Sequence, residues 1–367
     1  MAQFESARRW RMANGIRYVV EETARSAIDF AYHKAHRFRA LRILRGLEQK
    51  LGKTPAVEVR RCDEYAADVL GDRMFAPWLY VYTAVSGRFK EGWIPDNFYG
   101  SAVVPALKGW YGKVSSLKPL NQAVFHSDSF PDLGSYVNGL FLDRSYRPVS
   151  PARVRDLLFA GTDRIVFKVD NSLQGRGVFF FTRETFKPEA IQKLGNGLFQ
   201  SFIRQHATFD RYASHAVATL RITTVVDPQG RISPRTSYLR FGTGSDTHVR
   251  SQSHVRVPID VASGQFSKHG YLTSWLTTEA HPDSNVPFEG EVVPSFQDCL
   301  STVVQLHEKV PYARCVGWDV TVDEGGRPWV MEWNAQHNDI KFSEATQGPC
   351  FSDLGWEKLR PQHVPRF

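Results

Sequence analysis

The sequence predicts an α+β chain: two α+β lobes preceded by a basic helical segment. Three observations carry this reading. Residues 316–334 read as two strands around an Asp-Glu-Gly-Gly turn, and residues 165–203 run strand, glycine loop, strand, helix, strand. Residues 8–51 contain no proline and repeat apolar side chains at helical spacing. With 367 residues, 42% hydrophobic and 13% aromatic, the chain can bury a core in two or three lobes. The expected divisions are a basic helical segment over 1–54, an N-terminal lobe over 55–150, a small mobile lobe over 151–200, a larger lobe over 201–350 and a tail over 351–367.

In the first segment Ile16, Val19, Val20, Ala24, Ala27, Ile28 and Ala31 predict one or two amphipathic helices. The net charge is +8, and residues 1–50 hold eleven Lys/Arg against five Asp/Glu, which places +6 there. The rest of the chain is therefore near neutral, a pattern of a basic arm and not of general nucleic-acid binding. Three uses stay open for that arm: packing on the body through Phe30, Tyr32, Phe38 and Leu41, peripheral contact with an anionic membrane, or an acidic partner. No apolar run approaches the roughly 18 residues of a membrane span, and no cleavable leader is read at the N-terminus. Four cysteines without a CxxC pair suggest neither a zinc knuckle nor a disulfide framework, so the expected compartment is the reducing cytoplasm.

Residues 55–112 are dense in Trp and Tyr among glycines and prolines, which suggests a compact lobe whose aromatics pack a core. His126 and Asp128 could form a base and its orienter, with a surface polar cluster as the plainer reading. Ser150 followed by Pro151 predicts a helix start. Strands are expected at 165–169, 178–181 and 198–203 with a helix over 188–194, then strands at 217–226 and 237–241 and a helix over 296–309.

Two stretches point to chemistry. Lys168 lies on an apolar strand that leads into Gly175-Arg176-Gly177; two such glycines let backbone N–H groups approach an anion, and the lysine adds a point charge for phosphates. In the 316–334 hairpin, Asp319, Glu332 and Asn334 place two carboxylates and an amide on one face, with Met331 and Trp333 on the other. Hard oxygen donors of this kind suit Mg²⁺. Alone, the trio also reads as the polar face of an amphipathic hairpin, and Lys168 as a solvated strand end.

The ordered motifs FKVDNSLQGRGV, LFQSFIRQH, VATLRITTV and VGWDVTVDEGGRPWVMEWN resemble the ATP-grasp superfamily, and within it the sugar-transfer associated branch, over roughly residues 75–348. The resemblance implies an ATP-grasp fold, two α+β lobes clamping ATP. It implies that Lys168 contacts the nucleotide phosphates, that the loop of Gly175, Arg176 and Gly177 closes over them, and that Gln200, Ser201, Phe202 and Ile203 form the hinge holding adenine. Arg221 would neutralise phosphate charge, and Asp319, Glu332 and Asn334 would be the magnesium ligands; apart from the resemblance, Arg240 on the next strand reads either as facing the same cleft or as a surface strand arginine. The family's earlier lysine falls near 117–122, where a glutamine takes its place and Lys118 and Lys113 are the nearest substitutes. The region 246–256, DTHVRSQSHVR, departs from the family's glycine-rich turn on the acceptor side, and Asp339 and Lys341 are further acceptor candidates.

The activity so implied is an ATP- and Mg²⁺-dependent carboxylate-amine ligase. It would activate a carboxylate as an acylphosphate and join it to an amine on a small-molecule, peptide or saccharide acceptor. A small-molecule kinase of the same fold and a nucleotide-sensing adaptor tethered by residues 1–50 are the alternatives. The acceptor and the oligomeric state are not legible.

Overall fold

A computed structural model describes residues 2–170, 177–244 and 254–361, with side chains from residue 26 onward. Helix makes up 38% and strand 25%, the mixed class expected. The chain forms two compact units, residues 1–106 with 351–367, and residues 107–350. The expected 55–150 lobe is thus shared between them, and the expected tail clusters with the first.

The first unit is helical. One continuous helix, Ala2–Leu51, occupies the segment read as one or two, and Ala56–Asp68 and Ala76–Ser86 follow. The long helix packs through His36, Ala40 and Leu47, whereas Phe30 and Phe38, expected as core contacts, are 69% and 65% exposed. The reason is register: His36, Ala40 and Leu47 share one face at helical spacing, and Trp78 Nε1 donates to His36 Nδ1 at 3.1 Å. The aromatics of 75–99 do form a core, with Phe75, Trp78, Tyr82, Trp93 and Phe98 fully buried.

The second unit holds two antiparallel sheets. The first comprises β1 (Asp132–Val137), β2 (Leu140–Asp143), β3 (Pro148–Val149), β4 (Arg164–Val169), β5 (Val178–Thr182) and β6 (Gly197–Ser201), in the order β3-β2-β1-β6-β4-β5. Helices Pro151–Leu158 and Pro188–Leu194 pack on it around Phe159, Phe167, Phe186 and Phe199. The second comprises β7 (Thr219–Val226), β8 (Ile232–Gly242), β9 (His254–Ile259), β10 (Gly270–Tyr271), β11 (Thr277–Thr278), β12 (Cys315–Val322) and β13 (Pro328–Asn334), in the order β11-β10-β9-β8-β7-β12-β13.

β7 and β12 are buried along their whole length, yet they still alternate in chemistry. Leu220, Ile222, Val316, Trp318 and Val320 enter a core capped by the helix Phe296–His307, while Thr219, Arg221, Gly317 and Asp319 take the other face. That second face carries the candidate site. The four cysteines form no disulfide. Among the described residues no helix is long and apolar enough to cross a membrane.

Candidate functional site

The hairpin of β12 and β13 forms as expected, with Asp319 opposite Glu332 and Gly317 opposite Asn334. One expectation changes. The pairing slips after Asp319, so that Val320 faces Val330 and Met331 is the extra residue of a bulge. Val330 and Trp333 therefore enter the core, and Met331 does not share Trp333's face as strict alternation required. The bulge frees the Met331 carbonyl, which accepts from Lys168 Nζ at 3.0 Å and Gln200 Nε2 at 3.3 Å. This contact joins the two sheets.

Asp319 is gripped by arginines. Arg221 Nε and Nη2 donate to its two oxygens at 2.6 and 3.0 Å, and Arg240 Nη2 adds a third bond at 2.8 Å. Burial pushes the Asp319 carboxyl upward, but the Arg221 and Arg240 charges outweigh it and hold the group at about 2. Gly317 makes this possible, because a Cβ there would lie 2.9 Å from Asn338 Cβ and 3.1 Å from Arg221 Nη1. Arg221 Nη1 also donates to the Asn338 carbonyl at 3.0 Å, and buried Lys108 holds the same segment through Gln336 O at 2.5 Å and Asn338 Oδ1 at 2.8 Å. Burial lowers Lys108 to about 8.

Glu332 has a different cation. Lys118 Nζ stands 3.5 Å from its Oε1, and Lys118 is 8% exposed. Of the two substitutes for the earlier lysine, Lys118 is in the site; Lys113 instead lies over the Trp110 ring at 3.5 Å. Lys168 is lowered by burial, an effect that the Glu332 charge opposes. Four cations, Arg221, Arg240, Lys118 and Lys168, thus surround two carboxylates, a surplus suited to a polyanion.

The hinge residues divide. Gln200 is buried, donating to Asp132 Oδ1 at 2.8 Å as well as to Met331. Ser201, Phe202 and Ile203 line a cavity of about 530 Å³ with Gly161, Asp163 and Trp329. Phe202 also lies under the Arg164 guanidinium at 4.5 Å. Gly175 and Arg176 lie outside the described residues, as does 246–253; Gly177 is inside them and accepts from Val169 N at 2.9 Å. Asp339 and Lys341 bond to each other, and Asp128 pairs with Arg144 at 2.6 Å.

Asp132 and Asn121 were missed by sequence reasoning. Asn121 Nδ2 donates to Asp132 Oδ2 at 3.2 Å and its Oδ1 accepts from Trp333 Nε1 at 3.1 Å, so a polar chain runs from Trp333 to Lys168 through Gln200 and Met331. Burial raises Asp132 to about 6. Nothing local marks Asp132, whose partner Gln200 is 68 residues away.

The residues fit a magnesium ion. No group of three or more His, Cys, Asp or Glu able to hold a metal occurs among the described residues, so a magnesium ion here would have to rest on two carboxylates and an amide. Asn334 Nδ2 is buried without a partner; turning the amide over puts its oxygen there, beside Glu332 on the same strand face.

Two antiparallel sheets thus meet at a cluster of cations and carboxylates. Residues 190–353 match the family model described as sugar-transfer associated ATP-grasp. Lys168 and the glycine loop precede the matched residues. No curated protein matches the chain. Similar solved structures include the ATP-grasp ligase PsnB complexed with minimal precursor, at 12% identity, 68% of this chain, 62% of that chain and a TM-score of 0.40. D-cycloserine synthetase DcsG follows at 14% identity, 67% and 71% coverage and a TM-score of 0.38. The D-alanine-D-alanine ligase from Coxiella burnetii gives 13% identity, 67% and 58% coverage and 0.37. The chain therefore spans less than two thirds of the PsnB and Coxiella structures.

Proposed function

We propose that this chain is an ATP- and Mg²⁺-dependent ligase that phosphorylates a substrate carboxylate and joins the acylphosphate to an amine-type nucleophile. The observation that carries the reading is the convergence of Lys118, Lys168, Arg221 and Arg240 on Asp319 and Glu332. Phosphoryl transfer needs positioning and charge neutralisation more than covalent help from the protein. Lys168 and Lys118 would bind the transferred phosphate's oxygens, and Arg221 would hold the charge that develops on it. Arg240 would orient the acceptor carboxylate, and residues 200–203 with the glycine loop would hold the nucleotide. Asp319, Glu332 and Asn334 would hold Mg²⁺, which supplies further neutralisation of phosphate charge when bound.

The test is magnesium-dependent turnover of ATP by the purified chain against pools of carboxylates, amines and sugars. ADP with free phosphate and a condensed mass supports the ligase. ADP with a phosphorylated acceptor makes it a kinase, and tight ATP binding with no turnover makes it a sensor.

A further inference from the structure

The face of the second sheet that carries Asp319 continues outward as a row of arginines. Asp319 faces Arg221 across the β12–β7 pairing, and Arg221 faces Tyr238 of β8. Two residues further along β8, Arg240 faces Arg256 of β9, which in turn faces Tyr271 of β10. Register partners and residues two apart share a face, so Arg221, Arg240 and Arg256 form one band leading away from the carboxylates.

The inner two arginines end on Asp319, and the outermost does not. Arg256 is 8% exposed, with its guanidinium 4.7 Å from the Trp275 ring and 4.2 Å from the Phe342 ring. Among the described residues no hydrogen bond or ion pair reaches it, and its Nε is buried without a partner. Asp339 is the carboxylate whose field reaches Arg256, but that side chain is bonded to Lys341. Burial opposes the charge on Arg256, yet an arginine remains protonated. A buried, charged group with no oxygen partner is costly to keep unless a ligand supplies one.

The surroundings hold this guanidinium in a fixed plane. Two rings flank it, and planar guanidinium presents paired N–H donors that match a carboxylate or phosphate edge. Trp275 and Asp339 both have left-handed backbones, at φ 70° and 54°, a strained choice for non-glycine residues that concentrates at ligand sites.

We propose that Arg256 anchors a second oxyanion of the acceptor, so that the molecule activated is a carboxylic acid bearing a further carboxylate or phosphate. This rests on the ligase reading above. Arg256 lies three strands across and two residues along from Asp319, about 16 Å between backbones at ordinary strand spacing, so the two anionic groups stand several bonds apart.

The test is calorimetric binding to the full chain with Mg²⁺ and a non-hydrolysable ATP analogue. The probes are straight-chain dicarboxylates from glutarate to suberate, each against its monomethyl ester, and the matching ω-phosphono acids. At least one diacid or phosphono acid is expected to bind about tenfold or more tightly than its ester, as a charge-assisted pair requires. Whichever of the two series binds tighter names the second group. Arg256→Met should abolish the discrimination and Arg256→Lys keep part of it, with the analogue's affinity unchanged in both. Equal binding of every diacid, phosphono acid and ester would overturn the proposal on the unmutated chain alone, whatever the variants' folding. Discrimination retained by Arg256→Met would overturn it too. Discrimination in a protein that never turns over ATP would contradict the ligase reading and leave the anchor standing.

Discussion

Asp319 stands opposite Glu332 in the pairing of the last two strands, yet the two carboxylates are held by different cations. Two arginines bind Asp319 through three hydrogen bonds, while Lys118 approaches Glu332 at 3.5 Å and leaves it 33% exposed. Asp319 is thereby fixed, and Glu332 is the more available to a ligand. The predictions below follow from this asymmetry.

Lys118→Met should lower magnesium-dependent ATP turnover by about 100-fold or more, the usual scale for one lost charge-stabilising donor. Lys113→Met, at a lysine that lies over the Trp110 ring, should leave turnover unchanged. Steady-state ADP release by the two variants checks this, and equal loss in both would remove Lys118 from the site.

Asp319→Asn should destabilise the fold by about 3–5 kcal/mol, because it strands Arg221 and weakens Arg240 in a buried setting. The carboxyl titrates at about 2 in the folded chain against about 3.9 unfolded. Its contribution is full above pH 4 and is lost as pH falls towards 2, about 2–3 kcal/mol in all. Urea midpoints between pH 2 and 5, with and without Asp319→Asn, measure it.

Asp132 works in the opposite direction. Its folded value of about 6 exceeds the unfolded one, so its contribution is present below pH 4 and disappears as pH rises through 6, about 3 kcal/mol across that window. Asp132→Asn should flatten the fall in urea midpoint between pH 4 and 6. An unchanged slope would mean that another group titrates there.

Gly317→Ala should cost about 1–3 kcal/mol by overpacking, since the new methyl meets Asn338 and Arg221 at 2.9 and 3.1 Å. Denaturant unfolding should show a lower midpoint. A midpoint within error of the parent would mean that Arg221 has room to move.

Much of the second unit was legible because its strands announce themselves locally. The 316–334 hairpin carries its own turn and alternation, and the 165–203 order of strands and helix needed no distant information. Lys168, Arg221, Asp319 and Glu332 could be singled out because each is a charged residue on an otherwise apolar strand. The rest depends on partners far along the chain. The Met331 bulge is set by two-sheet contacts with Lys168, 163 residues away, and with Gln200. Lys118 could be suggested but not placed, since only folding brings it to Glu332. The face of the long helix was misjudged because Phe30 and Phe38 look like core residues, and the helix nonetheless turns His36 and Ala40 inward.

The most direct test of the account is ATP turnover by Glu332→Ala, measured as magnesium-dependent ADP release beside a circular dichroism melt. The account predicts a folded protein, since Glu332 is partly exposed and held by one cation at 3.5 Å, with turnover abolished. Near-normal turnover by a folded Glu332→Ala protein would contradict it.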